Sequence, residues 1–215
     1  MSGSLEAGRL EPRWPVSLAI FILLILVTVL PDHYRPLPSW VAFVVAAIAW
    51  LSMFALTFGG NKVRWLWIEG VVLKAIAGYL ILVAEVSLVA LIGDIAHRPT
   101  KATGLELLTS SAAIWACNVL AFSLLYWQLD GGGPVRRLQC KGGRADWLFV
   151  QPGTPGWQPV FVDYFFLAFS TATAFSTTDT IPLTPKAKLL MMLEASISMI
   201  TLVVVASRAI NVLGS

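Results

Sequence analysis

Five long apolar runs restrict what this chain can fold into. They cover residues 14–30, 39–58, 68–92, 105–129 and 185–213. A helix rises 1.5 Å per residue, so about 20 apolar residues match the hydrocarbon thickness of a bilayer. The chain is 57% hydrophobic and only 13% charged, where soluble domains carry about 25% charged residues. The runs therefore predict an all-α integral membrane protein, multi-pass in a cell membrane, with five transmembrane helices. Trp14, Trp65 and Trp67 mark interfaces. The fourth run ends in Tyr126-Trp127.

Other classes find little footing. A net charge of +3, spread over short loops, does not point to nucleic acid. Cys117 and Cys140 make neither a disulfide framework nor a metal spacing, and His33 and His97 fall in different loops. No nucleophile–base pair or phosphate loop suggests an enzyme, and no metal or other cofactor is implied. The absence of an inverted repeat argues against a secondary transporter. No signal-peptide cleavage chemistry follows the first run, so that run is expected to stay as an anchor. Residues 1–13 are polar and expected to fray.

The interval between the last two runs breaks the pattern. Residues 130–159 form a long Gly- and Pro-rich loop, opened by Gly131-Gly132-Gly133-Pro134. It reads as a solvated connector, or as a segment whose Arg136, Arg137, Lys141 and Arg144 meet lipid head groups. Residues 161–169 predict a helix too short to cross, with Asp163 as its N-cap. Then come Ser170 to Thr184, rich in hydroxyls and ending in Asp179 and Pro182. Polar backbone at membrane depth survives only when buried in protein or lining water, so this stretch predicts a re-entrant loop. The chain thus divides into a four-span bundle (1–130), a soluble loop (131–160) and a loop-plus-helix unit (161–215).

The loop and last helix resemble the two-span pore module of potassium-channel-like proteins. Those modules place a pore helix, then Thr-Val-Gly-Tyr-Gly-Asp, then a Pro, a Thr and a basic residue opening the inner helix. Here the register reads Ser170-Thr171-Ala172-Thr173, Ala174-Phe175-Ser176-Thr177-Thr178-Asp179, Pro182, Thr184 and Lys188. The inner helix carries Glu194 and ends near Arg208, as bacterial two-span modules often do. The whole chain is also similar to bacterial five-span membrane proteins with a channel-like final hairpin, which implies a bacterial inner membrane. The resemblance implies a homotetramer around a filter of Thr173, Ala174, Phe175, Ser176, Thr177, Thr178 and Asp179. Both filter glycines are replaced, by Ser176 and Thr178, and the carbonyl cage that selects potassium depends on glycine. The expectation is therefore a cation channel with a hydroxyl-lined, non-potassium-selective filter, and a monovalent cation as permeant ion. The alternative is a non-conducting scaffold that reuses the fold. Asp179 then faces the ion path or caps a turn.

Three polar residues inside the runs need partners. Glu85 near the middle of the third run costs about 2.5–3.5 kcal/mol on insertion scales. It reads as a functional carboxyl or as a hydrogen-bonded core group. Lys74 lies on nearly the same helix face, about 16 Å away. Asn118, Glu194, Ser198 and a neighbouring subunit are the candidate partners for Glu85. Glu194 is alternatively a brace behind the loop. Ser196, Ser198 and Thr201 suit close helix approach.

The charge distribution opposes the channel orientation. Arg9, Arg13, Lys62, Arg64, Arg136, Arg137, Lys141, Arg144, Lys186 and Lys188 share one side, against Arg35, Arg98, Lys101 and Arg208 on the other. The positive-inside rule makes the first side cytoplasmic, whereas the channel family opens its loop to the outside.

Overall fold

The computed structural model describes residues 12–58, 62–97, 104–138, 144–150, 157–173 and 180–213. Among the described residues seven α-helices are formed: α1 (Trp14–Val29), α2 (Ser39–Phe58), α3 (Lys62–His97), α4 (Gly104–Leu129), α5 (Pro134–Leu138), α6 (Phe161–Ala172) and α7 (Pro185–Leu213). Strands β1 (Trp147–Phe149) and β2 (Thr180–Pro182) pair antiparallel. Among the described residues, three helical stretches are long and apolar enough to cross a membrane: Trp65–Asp94, Leu105–Gly132 and Pro185–Ser207. Trp14–Val29 and Ser39–Ala55 are shorter apolar stretches.

Local chemistry sets the boundaries. Pro15 opens α1, where a missing N–H costs nothing, and Leu30 is extended because Pro31 follows it. α3 runs on past both ends of the 68–92 run, through Lys62 and His97. Its polar ends are longer than hydropathy alone indicated.

α4 is the central helix. It packs on α1, α3, α6 and α7. Ala113, Cys117, Ala121 and Ser123 are buried along it, and small residues let neighbouring backbones approach closely. Phe122, Tyr126 and Trp127 at its end are fully buried. Tyr126 and Trp127 are therefore core residues.

The polar elements gather at the end where α4 stops and α7 starts. β1 meets β2 with Trp147 opposite Pro182, Leu148 opposite Ile181 and Phe149 opposite Thr180. Phe149 also packs edge-on against Tyr164, ring centroids 5.2 Å apart. Tyr164 sits in the first turn of α6. The chain therefore runs about 18 Å away along the 12 residues of α6 and is back beside its start by Thr180.

The N-terminal arm departs from expectation at Arg13. Its guanidinium lies 3.2 Å from Glu69, which is 2% exposed, and 5.0 Å from the Trp127 ring centroid. Arg13 is anchored rather than frayed. Residues 1–11 are outside the described residues.

Candidate functional site

Asp130, directly after α4, organises the frame around the predicted loop. Its Oδ1 accepts from the N–H of Asp146 at 2.7 Å and of Trp147 at 3.3 Å. Its Oδ2 accepts from the Tyr164 hydroxyl at 2.7 Å. One buried carboxylate thus ties the end of α4, the entry to β1 and the start of α6. Its backbone carbonyl accepts from Arg137 Nη1 at 2.8 Å, and the same nitrogen donates to Trp127 O at 3.2 Å. The Arg137 guanidinium lies 5.5 Å from the Tyr164 ring centroid. Arg137 is therefore a structural cation turned inward, not a lipid contact. The long loop is no simple solvated connector either, since Asp130, Asp146 and Trp147 are buried.

Asp146 makes the second joint. Its carbonyl accepts from Leu183 N–H at 2.9 Å. Its Oδ1 accepts from the Thr184 hydroxyl at 2.6 Å, and Lys186 Nζ lies 3.5 Å from Oδ2. Thr184 Oγ1 in turn accepts from Ala187 N–H at 3.2 Å, as an N-cap does at a helix start. Trp147 lies 4.8 Å from the Tyr126 ring, and its indole N–H meets Met191 Sδ at 3.4 Å. The first turns of α7 are therefore held by residues from the 130–150 loop.

Asp163 does not cap α6 from the N-cap position. Val160 occupies that position, and Asp163 stands three residues on, accepting from Val160 N–H at 2.8 Å. Partial burial pushes its carboxyl above the ordinary range, and the Val160 bond pulls it back only in part.

Behind the loop, α4 and α7 share a buried polar seam. Tyr126 donates to Glu194 Oε2 at 2.5 Å. Asn118 Nδ2 donates to Ser198 Oγ at 2.9 Å and to Glu194 O at 3.4 Å. All four residues are fully buried. Glu194 thus braces α7 against α4. Asn118, Glu194 and Ser198 are not partners of Glu85. Glu85 is half-buried on α3, with no hydrogen bond or ion pair among the described residues, and Lys74 shares that condition. Thr201 is buried and donates to Ile197 O at 2.8 Å, while Ser196 is exposed and donates to Met192 O at 2.8 Å.

Of the filter-like residues, Thr173 terminates α6, its hydroxyl donating to Phe169 O at 2.8 Å. Ala174, Phe175, Ser176, Thr177, Thr178 and Asp179 lie outside the described residues. What the platform holds is the start of α6, through Tyr164, and the return at Leu183 and Thr184, through Asp146. Sequence reasoning missed Asp130, Asp146, Tyr164 and Arg137 as that platform. One signal was present: an acid closing an apolar run, directly before three glycines.

No protein-family model, curated protein or solved structure matches the chain.

Proposed function

We propose that this is a five-span, cation channel-like membrane protein, assembled as a tetramer, whose residues 173–179 form a re-entrant, hydroxyl-lined filter without potassium selectivity. The observation that carries this reading is the return of the chain. α6 is too short to cross, Thr180 lies back at its head, and α7 then starts as a full-length apolar helix. An inward helix, a polar return and a long helix packed on α4 are the parts a pore module needs.

Two further observations support it. α6 and α7 are both held to α4, by Tyr164–Asp130 and Tyr126–Glu194, so the flanks of the loop are fixed while the loop itself carries the hydroxyls. α7 also leaves Leu189, Met192, Met199 and Val203 largely uncovered, with Ser196 on the same stripe. In a tetramer that stripe faces the axis and the neighbouring copies. Glycine is absent from positions 176 and 178, so ions would be met by side-chain oxygens of Thr173, Ser176, Thr177 and Thr178, with Asp179 as an acidic ring at the mouth.

Purified protein in proteoliposomes tests this. Monovalent cation flux is expected, with little discrimination between sodium and potassium. Thr177→Leu and Asp179→Ala are expected to reduce it at least tenfold without changing the oligomer size. A folded tetramer that passes no cation under any gradient overturns the channel reading and leaves a non-conducting scaffold built on the same fold.

A further inference from the structure

The end of the molecule that carries the frame sorts its charges by sign. None of the acids described there is exposed: three are buried and Asp163 is half-buried. Glu69 pairs with Arg13, Asp130 and Asp146 are buried in the networks above, and Asp163 is tied to Val160. Apart from Arg13 and Arg137, the cations described there are turned outward. Arg136, Arg144 and Lys188 are exposed and have no acid partner among the described residues. Lys186 is 49% exposed, and its acid partner among the described residues is Asp146 at 3.5 Å. The opposite end differs: Asp32 is 93% exposed beside Arg35, and His33 stands 3.5 Å from Asp94 and 3.9 Å from Glu106.

The apolar pattern follows the same division. Trp147 faces in, while Leu148 and Ile181, direct cross-strand partners, face out and are 48% and 49% exposed. The ribbon ends three residues before α7 begins, so in a bilayer this pair lies where hydrocarbon meets head groups. An exposed apolar pair and four outward cations at one end, with no exposed acid among the described residues of that end, match a surface that is apolar below and anionic above.

We propose that the β1–β2 ribbon and Arg136, Arg144, Lys186 and Lys188 form a docking surface for anionic phospholipid. Leu148 and Ile181 enter the acyl boundary and the four cations meet head-group phosphates. Lys186 also touches Asp146, which holds the Thr184 cap of α7, so bound lipid adjoins the joint between the frame and the last helix. The inference rests on the membrane reading of the chain and not on conduction.

The test uses the full chain purified in neutral detergent, with phosphatidylglycerol or phosphatidylcholine added to the micelles and retained lipid read by native mass spectrometry. The wild type is expected to retain phosphatidylglycerol about tenfold better. Arg136→Gln/Arg144→Gln/Lys188→Gln is expected to lose that preference, since each cation near an anionic surface is worth about fivefold. Lys188→Gln alone, at an exposed position without a partner, gives a partial loss and serves if the triple variant does not fold. Leu148→Ser/Ile181→Ser is expected to weaken both lipids alike. The proposal is overturned if the wild type shows no preference, or if the folded variants keep it. It is also overturned if soluble glycerol phosphate displaces the lipid, which would mark a free-anion site. Lipid preference without cation flux would sink the channel reading alone.

Discussion

Asp130 is the residue on which most of the frame depends. Removing its carboxylate strands three donors: the N–H groups of Asp146 and Trp147, and the Tyr164 hydroxyl. A buried donor without a partner costs about 1–3 kcal/mol. Asp130→Ala is therefore expected to lower stability by at least 3 kcal/mol, read as a fall in the unfolding midpoint in detergent and early proteolysis within 130–160. Tyr164→Phe, which strands one oxygen of the Asp130 carboxylate, is expected to cost less, about 1.5–3 kcal/mol. Equal effects would mean that the carboxylate is not the hub. Glu194 and Tyr126 form a comparable pair inside the bundle. A double-mutant cycle with Glu194→Gln and Tyr126→Phe is expected to give a coupling of about 1 kcal/mol, as hydrogen bonds between membrane helices do. Additive single effects would dismiss the pairing. At this scale the sequence was legible in part. Glu194 and Asn118 stood out because polar groups inside apolar runs need explanation. Their partners did not, because partners are set by helix rotation and by which helices touch. Glu85 marks that limit: its chemistry singled it out, and its surroundings supply no partner among the described residues.

The elements themselves were legible from hydropathy and punctuation. Pro31, Pro36 and Pro38 separate α1 from α2, and the glycines after Leu129 end α4. The strand pair was not legible. β1 is three residues inside a Gly/Pro-rich loop, and its partner lies more than thirty residues on, so periodicity gives no sign of it. The glycine run has a definite task. Gly133 has φ +91, and a Cβ there would stand 2.8 Å from the Gln128 carbonyl oxygen, a backbone atom. Gly132 has φ +85, but its Cβ would meet the Arg136 side chain, which can swing away. Both substitutions carry the penalty of a left-handed backbone, about 1–2 kcal/mol. Gly133→Ala adds a clash that only backbone movement relieves. It is expected to destabilise the protein by at least 1 kcal/mol more than Gly132→Ala, measured side by side by thermal unfolding. The reverse order would show that the turn after α4 is not built as described.

For the whole molecule, the open conflict is between charge and resemblance, and the structure bears on it. Arg13 and Arg137 are structural, bound to Glu69 and to the backbone of Trp127 and Asp130. Discounting both still leaves eight Lys and Arg on the frame side against four on the other. The bias therefore survives the removal of cations that folding itself requires. Translocating eight cations is the harder event, and an anionic cytoplasmic leaflet attracts the same groups. The expected topology has residues 130–160 in the cytoplasm and Ser215 outside, inverting the loop relative to potassium channels. A reporter active only outside the membrane should therefore work at Ser215 and fail within 139–143. Activity within 139–143 with none at Ser215 would restore the channel orientation. Silence at both positions would mean that the 161–184 segment crosses completely, against the return of Thr180 to the head of α6. Each result selects a different path for the same residues, so the pair of fusions decides the side and the number of crossings together.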